Sequence, residues 1–290
     1  NFAPVDDTNI LINNGVITNI YGGGNAALVN NNTILRIING TINDNIYGGG
    51  NEGEVHKNTY VNILGGTILG SAYAGGNGNT ATVYEKTNIT VSNNAVIGNS
   101  SCTSLSHCSV FGGGNAAYTG LEEANNSEAN VNIAGGLIYG NVYGGANTSK
   151  VFGATNVTIG SDVVLGDDEN ISDIHIKGTV FGGGEANASN SEVYDYSFIS
   201  VTTAINVNIN AEGYNNFLID GSIFGSGNAS STTGTSRINI KNYGIYNSPK
   251  SNISIQRTDL LTLDNSSIVL SPNERAAESF LHFSFNCTKK

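Results

Sequence analysis

The first residues in this chain that could do chemistry are its glycine clusters. Gly22-Gly23-Gly24, Gly48-Gly49-Gly50, Gly112-Gly113-Gly114 and Gly182-Gly183-Gly184 suggest loops that cradle phosphate, because a residue without Cβ lets several N–H groups approach one anion. The chain has no Gly-Lys-Ser/Thr of a P-loop and no GxGxxG opening a helix. A cluster that recurs marks repeated corners better than a single ligand site. Calcium-binding β-rolls also repeat glycine, in the pattern GGxGxDxUx. Here the residue after the glycines is Asn, or Glu185 in one copy, and the Asp is missing. A neutral amide does not supply the charge that holds calcium. Asp167, Asp168, Glu169, Glu122 and Glu123 read as solvated acidic turns.

Carboxylates and bases are otherwise scattered. Asp44, Asp162, Asp173, Asp195 and Asp220 stand apart from one another, as do Arg36 and Arg237. Sugar-cleaving chemistry needs paired carboxylates, or a base beside metal-bound substrate. Asp44 and Asp220 precede neighbouring aromatics by similar distances, but several repeats separate them. His56, His107, His175 and His282 show no metal-ligand spacing, so neither a metal nor a cofactor is expected. Cys102 and Cys108 bracket a short inserted segment, and a disulfide clasp is expected there, leaving Cys287 over. Asn-x-Ser/Thr sequons are frequent because Asn, Ser and Thr are frequent. Asn88 and Asn156, beside strand residues, fit a ladder as well as a glycosylation site.

Composition narrows the partners. Lys+Arg number 12 against 23 Asp+Glu, a net charge of -11, and the pI is near 4.6. Nucleic acid and anionic membrane surfaces are therefore excluded as partners, since both need clustered basic residues. No run is apolar enough to insert in a membrane, and no basic-then-apolar leader opens the chain. The start at Asn1 and the absence of Met read as a mature or excised piece of a longer protein. Only 12% of residues are charged, and β-branched and aromatic residues are plentiful, so the chain is expected to fold rather than remain disordered.

The elements that position these residues come from an internal repeat. An aromatic, a glycine cluster and usually Asn recur at Tyr21, Tyr47, Tyr73, Phe111, Tyr143, Phe181 and Phe224. The Asn positions are Asn25, Asn51, Asn77, Asn115, Asn147 and Asn228. The first spacings are about 26 residues and later ones roughly 32 to 43, so insertions leave a fixed core intact. Before each aromatic comes an alternating run such as Val61-Asn62-Ile63 or Val157-Thr158-Ile159, the period of a strand with one buried face. A shorter run, as in Gly66-Thr67-Ile68, lies between. The expectation is an all-β parallel β-helix, or β-solenoid, of about three short strands per coil and seven to nine coils. That makes a rod roughly 35 to 45 Å long. The glycines are expected to turn corners at positive φ, the seven aromatics to form one row, and the Asn residues to hydrogen-bond along the axis.

Residues 1–255 read as solenoid repeats and 256–290 as last strands and a terminal cap. In the latter, Ser271-Pro272-Asn273-Glu274 has the form of a helix start, predicting a short C-terminal helix. The alternative is that this helix interrupts further coils.

The aromatic-GGGN repeats, the Val-Asn-Ile strands and the tail Thr262-Leu263-Asp264-Asn265-Ser266-Ser267-Ile268-Val269-Leu270 resemble the Gly/Asn-rich, repetitive adhesin-like surface proteins of anaerobic bacteria. The resemblance implies an extracellular or cell-surface, non-enzymatic stalk or adhesin segment whose partner is a glycan or a host or neighbour-cell protein. It implies no catalytic residues. Two other functions stay open: a fibre subunit that self-associates through its ends, and a polysaccharide lyase or glycoside hydrolase, enzymes that also use parallel β-helices.

Overall fold

The computed structural model describes residues 3–102, 107–186, 199–243, 255–256, 258–264, 266 and 282–286. These residues form a parallel β-solenoid. Three sheets run along the axis, of ten, seven and eight strands, and in each a strand pairs in parallel with its counterparts in the coils before and after. Seven coils carry a strand in all three sheets. No helix occurs among the described residues, and none is therefore long and apolar enough to cross a membrane.

Each side of the coil has its own sequence logic. The first sheet holds the long strands, such as Thr33–Ile37, Thr59–Ile63, Ser127–Ile133 and Gly153–Gly160. Their alternation puts Leu35, Ile37, Val61, Ile63, Val131, Ile133, Val157 and Ile159 inside the tube at 0% exposure, while the intervening residues face out. The second sheet uses two or three residues per coil, such as Thr41–Ile42 and Thr67–Ile68. The third uses two, such as Ile46–Tyr47 and Val110–Phe111. Two aliphatic columns from the first sheet and one from each of the other two fill a single continuous core.

Two features of the coil were not evident from the sequence. Val29, Val55 and Val83 form a further buried column between the Asn corner and the long strand. Isolated parallel bridges extend that column from Val5 through Thr119 and Val151 to Val201. The hydroxyl that opens most long strands also points inward and bonds a carbonyl across its own coil. Thr33 donates to Gly48 O at 2.5 Å, Thr59 to Ala74 O at 2.6 Å, Thr87 to Gly112 O at 2.5 Å and Thr155 to Gly182 O at 2.6 Å. These bonds satisfy buried carbonyls that the corner would otherwise orphan.

The expected role of the glycine clusters needs correction. Their φ angles lie outside the left-handed region, and the reason for glycine is proximity. A Cβ on the middle residue of each cluster would sit 2.8 Å from Gly50 N at Gly23, 2.8 Å from Gly76 N at Gly49 and 2.6 Å from Gly114 N at Gly75. The one exception at this position is Ser226, in the last coil with a ring. Positive φ falls elsewhere. Gly15, Gly40, Gly66 and Gly136 take it before the second-sheet strands, and after the corner Asn it falls to Ala26, Glu52, Gly78, Ala116, Thr148 and Ala229. A non-glycine residue pays on the order of 1–2 kcal/mol for this conformation. The compensation is an inter-coil hydrogen bond at the strained residue itself, such as Ala26 N to Asn51 O at 2.8 Å and Thr148 N to Glu185 O at 2.8 Å.

At the C-terminal end, Leu260–Asp264 continues the long-strand sheet beside Ser236–Lys241, and His282–Asn286 pairs next. The long-strand sheet thus runs across the boundary expected at residue 255. The segment expected to form a helix, residues 271–281, lies outside the described residues.

Candidate functional site: the outer face of the long-strand sheet

The repeat aromatics do not form a surface. Tyr21, Tyr47, Tyr73, Phe111, Tyr143, Phe181 and Phe224 stack in one row with ring centroids 4.6 to 5.0 Å apart. The five between Tyr47 and Phe181 are buried, and they form a cluster separate from the core inside the tube. Each ring lies on the side of its strand opposite the inward Ile, Val or Ala72. Where the ring is a tyrosine its hydroxyl is directed toward the Asn corner two coils on, Tyr47 toward Asn115, Tyr73 toward Asn147 and Tyr143 toward Asn228, and Tyr143 accepts from Asn141 Nδ2 at 2.9 Å. Burial pushes the Tyr47 hydroxyl up to about 12 and those of Tyr73 and Tyr143 higher still. The expected Asn residues align too. Asn51 donates to Asn25, Asn77 to Asn51, Asn115 to Asn77 and Asn147 to Asn115, each at 2.8 to 2.9 Å. Asn228 follows Glu185 in the same column. A further polar column precedes the aromatic strand, where side-chain oxygens of Asn45, Ser71, Ser109 and Asn141 accept the backbone N–H of the next coil. These columns are scaffold.

The surface that remains is the outer face of the long strands, where register builds two polar columns beside a third that holds the ion pair of Lys86 and Glu128 (2.9 Å) next to Ala154. One runs Ile34, Tyr60, Asn88, Asn130, Asn156, Asn206 and Arg237; the other runs Arg36, Asn62, Thr90, Asn132, Thr158, Asn208 and Asn239. Side-chain amides chain along the first, from Asn130 to Asn88 at 3.0 Å, Asn156 to Asn130 at 2.9 Å and Asn206 to Asn156 at 2.9 Å. In the second, Asn239 donates to Asn208 at 2.8 Å. The sequon residues Asn88 and Asn156 are therefore rungs of this ladder. No charged residue stands in either column between Arg36 and Arg237, leaving a neutral strip roughly 25 Å long at one strand spacing per coil. Tyr60 (39% exposed), Ile34 (37%) and Leu11 (58%) form an apolar patch at its first end.

Inserted loops stand at both long edges of the strip. Residues 161–173 follow the strand Gly153–Gly160 and fold back along the solenoid. Asn170 N–H bonds Asn93 Oδ1 at 2.6 Å, and Asp168 pairs with Arg36. Residues 121–126 precede Ser127, and Thr202 donates its hydroxyl to Asn125. The loop rims carry Glu122, Glu123, Asp167, Asp168 and Glu169, with Asp168 paired to Arg36 and the Lys86–Glu128 pair at the strand start, so mainly acidic edges border the two neutral columns.

The other carboxylates do not converge. Asp162 accepts from Asn210 at 2.7 Å and pairs with Lys241, and the Asn210 hydrogen bond holds its carboxyl below the usual range. Asp173 accepts from Asn216, and Asp220 pairs with His175 at 2.9 Å. His56 stacks on Tyr84. Asp195 lies outside the described residues. Among the described residues no three His, Cys, Asp or Glu side chains group as metal ligands. Cys102 and Cys108 form a disulfide with Cα atoms 6.3 Å apart, and Cys287 lies outside the described residues. No family model, no curated protein and no solved structure matches this chain.

Proposed function

We propose that this chain is a non-enzymatic β-solenoid segment of an extracellular or cell-surface adhesin or stalk, and that the neutral strip of the long-strand sheet docks an uncharged polysaccharide. The observation that carries this reading is the pairing of an uncharged, regularly spaced amide and hydroxyl floor with acidic rims. Amides and hydroxyls at a constant spacing exchange hydrogen bonds with successive sugar hydroxyls, and an exposed ring such as Tyr60 stacks on a pyranose face. Acidic edges on a chain of net charge -11 repel polyanions and leave neutral glycans as the matching partner. The buried rings and the corner Asn column support the same reading indirectly, by fixing the coil spacing that sets the spacing of the floor.

The test is binding of the intact protein to immobilised neutral and acidic polysaccharides at low and moderate salt. Retention on neutral polymers that persists as salt is raised is the expected result. Binding to acidic polymers alone, or to none of the panel, would count against the reading. Release of reducing ends or unsaturated products during the incubation would favour the enzyme alternative.

A further inference from the structure

The corner amide column has a direction. At every step from Asn25 to Asn147 the NH2 of the later coil donates to the side-chain oxygen of the earlier one. At the sixth coil the backbone continues the pattern: Asn147, Glu185 and Asn228 bridge in parallel, Glu185 N–H bonds Ala146 O at 2.9 Å and Asn228 N–H bonds Gly184 O at 3.0 Å. The side chain, however, is a carboxyl. An ionised carboxylate only accepts, so at this rung of the column it has no proton to offer the Asn147 side-chain oxygen. It does so where the residue is 8% exposed, and Glu185 Oε2 has no hydrogen-bond partner among the described residues. A protonated carboxyl has one donor and one acceptor, the complement that an amide uses at every other rung.

We propose that Glu185 is a proton-dependent rung of the corner column: protonated, it donates to Asn147 and accepts from Asn228; ionised, it interrupts the column and loosens the sixth coil against its neighbours. This goes beyond the glycan reading and does not depend on it. Burial supports it by raising the Glu185 carboxyl above its ordinary 4.5, while hydrogen bonding from Tyr143 and Asn228 pulls the other way. The titratable groups that face it are Tyr143 and, farther along the ring row, Tyr73. No cation among the described residues acts on it. The direction follows from proton linkage. The folded chain binds this proton more tightly than the unfolded one, so the rung's contribution is complete below about pH 4.5 and is lost as pH rises through the folded-state value.

The experiment compares thermal unfolding of the wild type and Glu185→Asn, which restores the common rung, at pH values from about 4 to about 8. All other carboxylates are shared, so the difference in Tm isolates residue 185. The expected difference is smallest at the acid end and grows in favour of Glu185→Asn as pH rises. A difference that is constant with pH, or zero throughout, overturns the proposal. A carboxyl-carbon NMR titration of the wild type gives an independent reading that needs no variant. A Glu185 midpoint above 4.5, with side-chain NH2 exchange at Asn228 accelerating over the same range, supports the rung. A midpoint at or below 4.5 contradicts it.

Discussion

Gly49 shows how one absent atom sets the geometry of a coil. Its φ is one any residue can adopt, yet a Cβ there would lie 2.8 Å from Gly76 N and 2.9 Å from Gly76 Cα, in backbone that has nowhere to move. Gly49→Ala is therefore expected to destabilise by about 1–3 kcal/mol through overpacking, read as a lower urea midpoint. Gly15 is the control. It sits at φ 114 with nothing within 4 Å of a built Cβ, so Gly15→Ala is strained by conformation and not by contact. If Gly49→Ala were as stable as the wild type, the close-approach account of the glycine clusters would fail. The sequence showed that these glycines mark a corner, but the residues that take positive φ there were hidden. Ala26, Glu52, Ala116 and Thr148 carry no compositional signature of left-handed backbone, and only the inter-coil bond at each N–H explains them.

At the scale of the element, alternation made the long strands legible, and their inward Val and Ile residues fill the core as that pattern implies. The spacing of the aromatics likewise pointed to a stacked row, because identical positions in a solenoid must superpose. Contacts that depend on register were harder to read. Thr33 and Thr59 look like ordinary strand residues until the carbonyls that they bond, about a half-turn of coil away, are placed beside them. The neutral strip was legible only in part: Asn88 and Asn156 fit a ladder, but their continuity with Asn130 and Asn206 needs strand pairing across insertions of unequal length. Asn132→Asp tests the strip as an element. The side chain is half-buried on the outer face, so stability is expected to change by less than about 0.5 kcal/mol. Binding of the neutral polysaccharide is expected to weaken about tenfold or more, since a charge enters a floor that has none. Equal affinity for Asn132→Asp and wild type, measured by calorimetry, would place the ligand elsewhere.

For the whole molecule, the solenoid separates two tasks that a globular domain would mix. The tube interior, the ring row and the corner amides hold coil to coil, and each repeats because every coil meets only its neighbours. The outer face and the inserted loops are free to vary, which is where the unequal repeat lengths and much of the acidity are found. Glu185 is the place where the two overlap, a titratable group within the holding column. The central claim is that the long-strand face is the docking surface. Hydroxyl-radical footprinting of the intact protein, with and without the neutral polysaccharide that it retains, tests it most directly. The account predicts protection at Tyr60 and Ile34 on the strip, with Val16 on the second sheet unchanged. Protection confined to Val16, or to Leu121 and Val164 in the inserted loops, with Tyr60 as reactive as in the free protein, would contradict it.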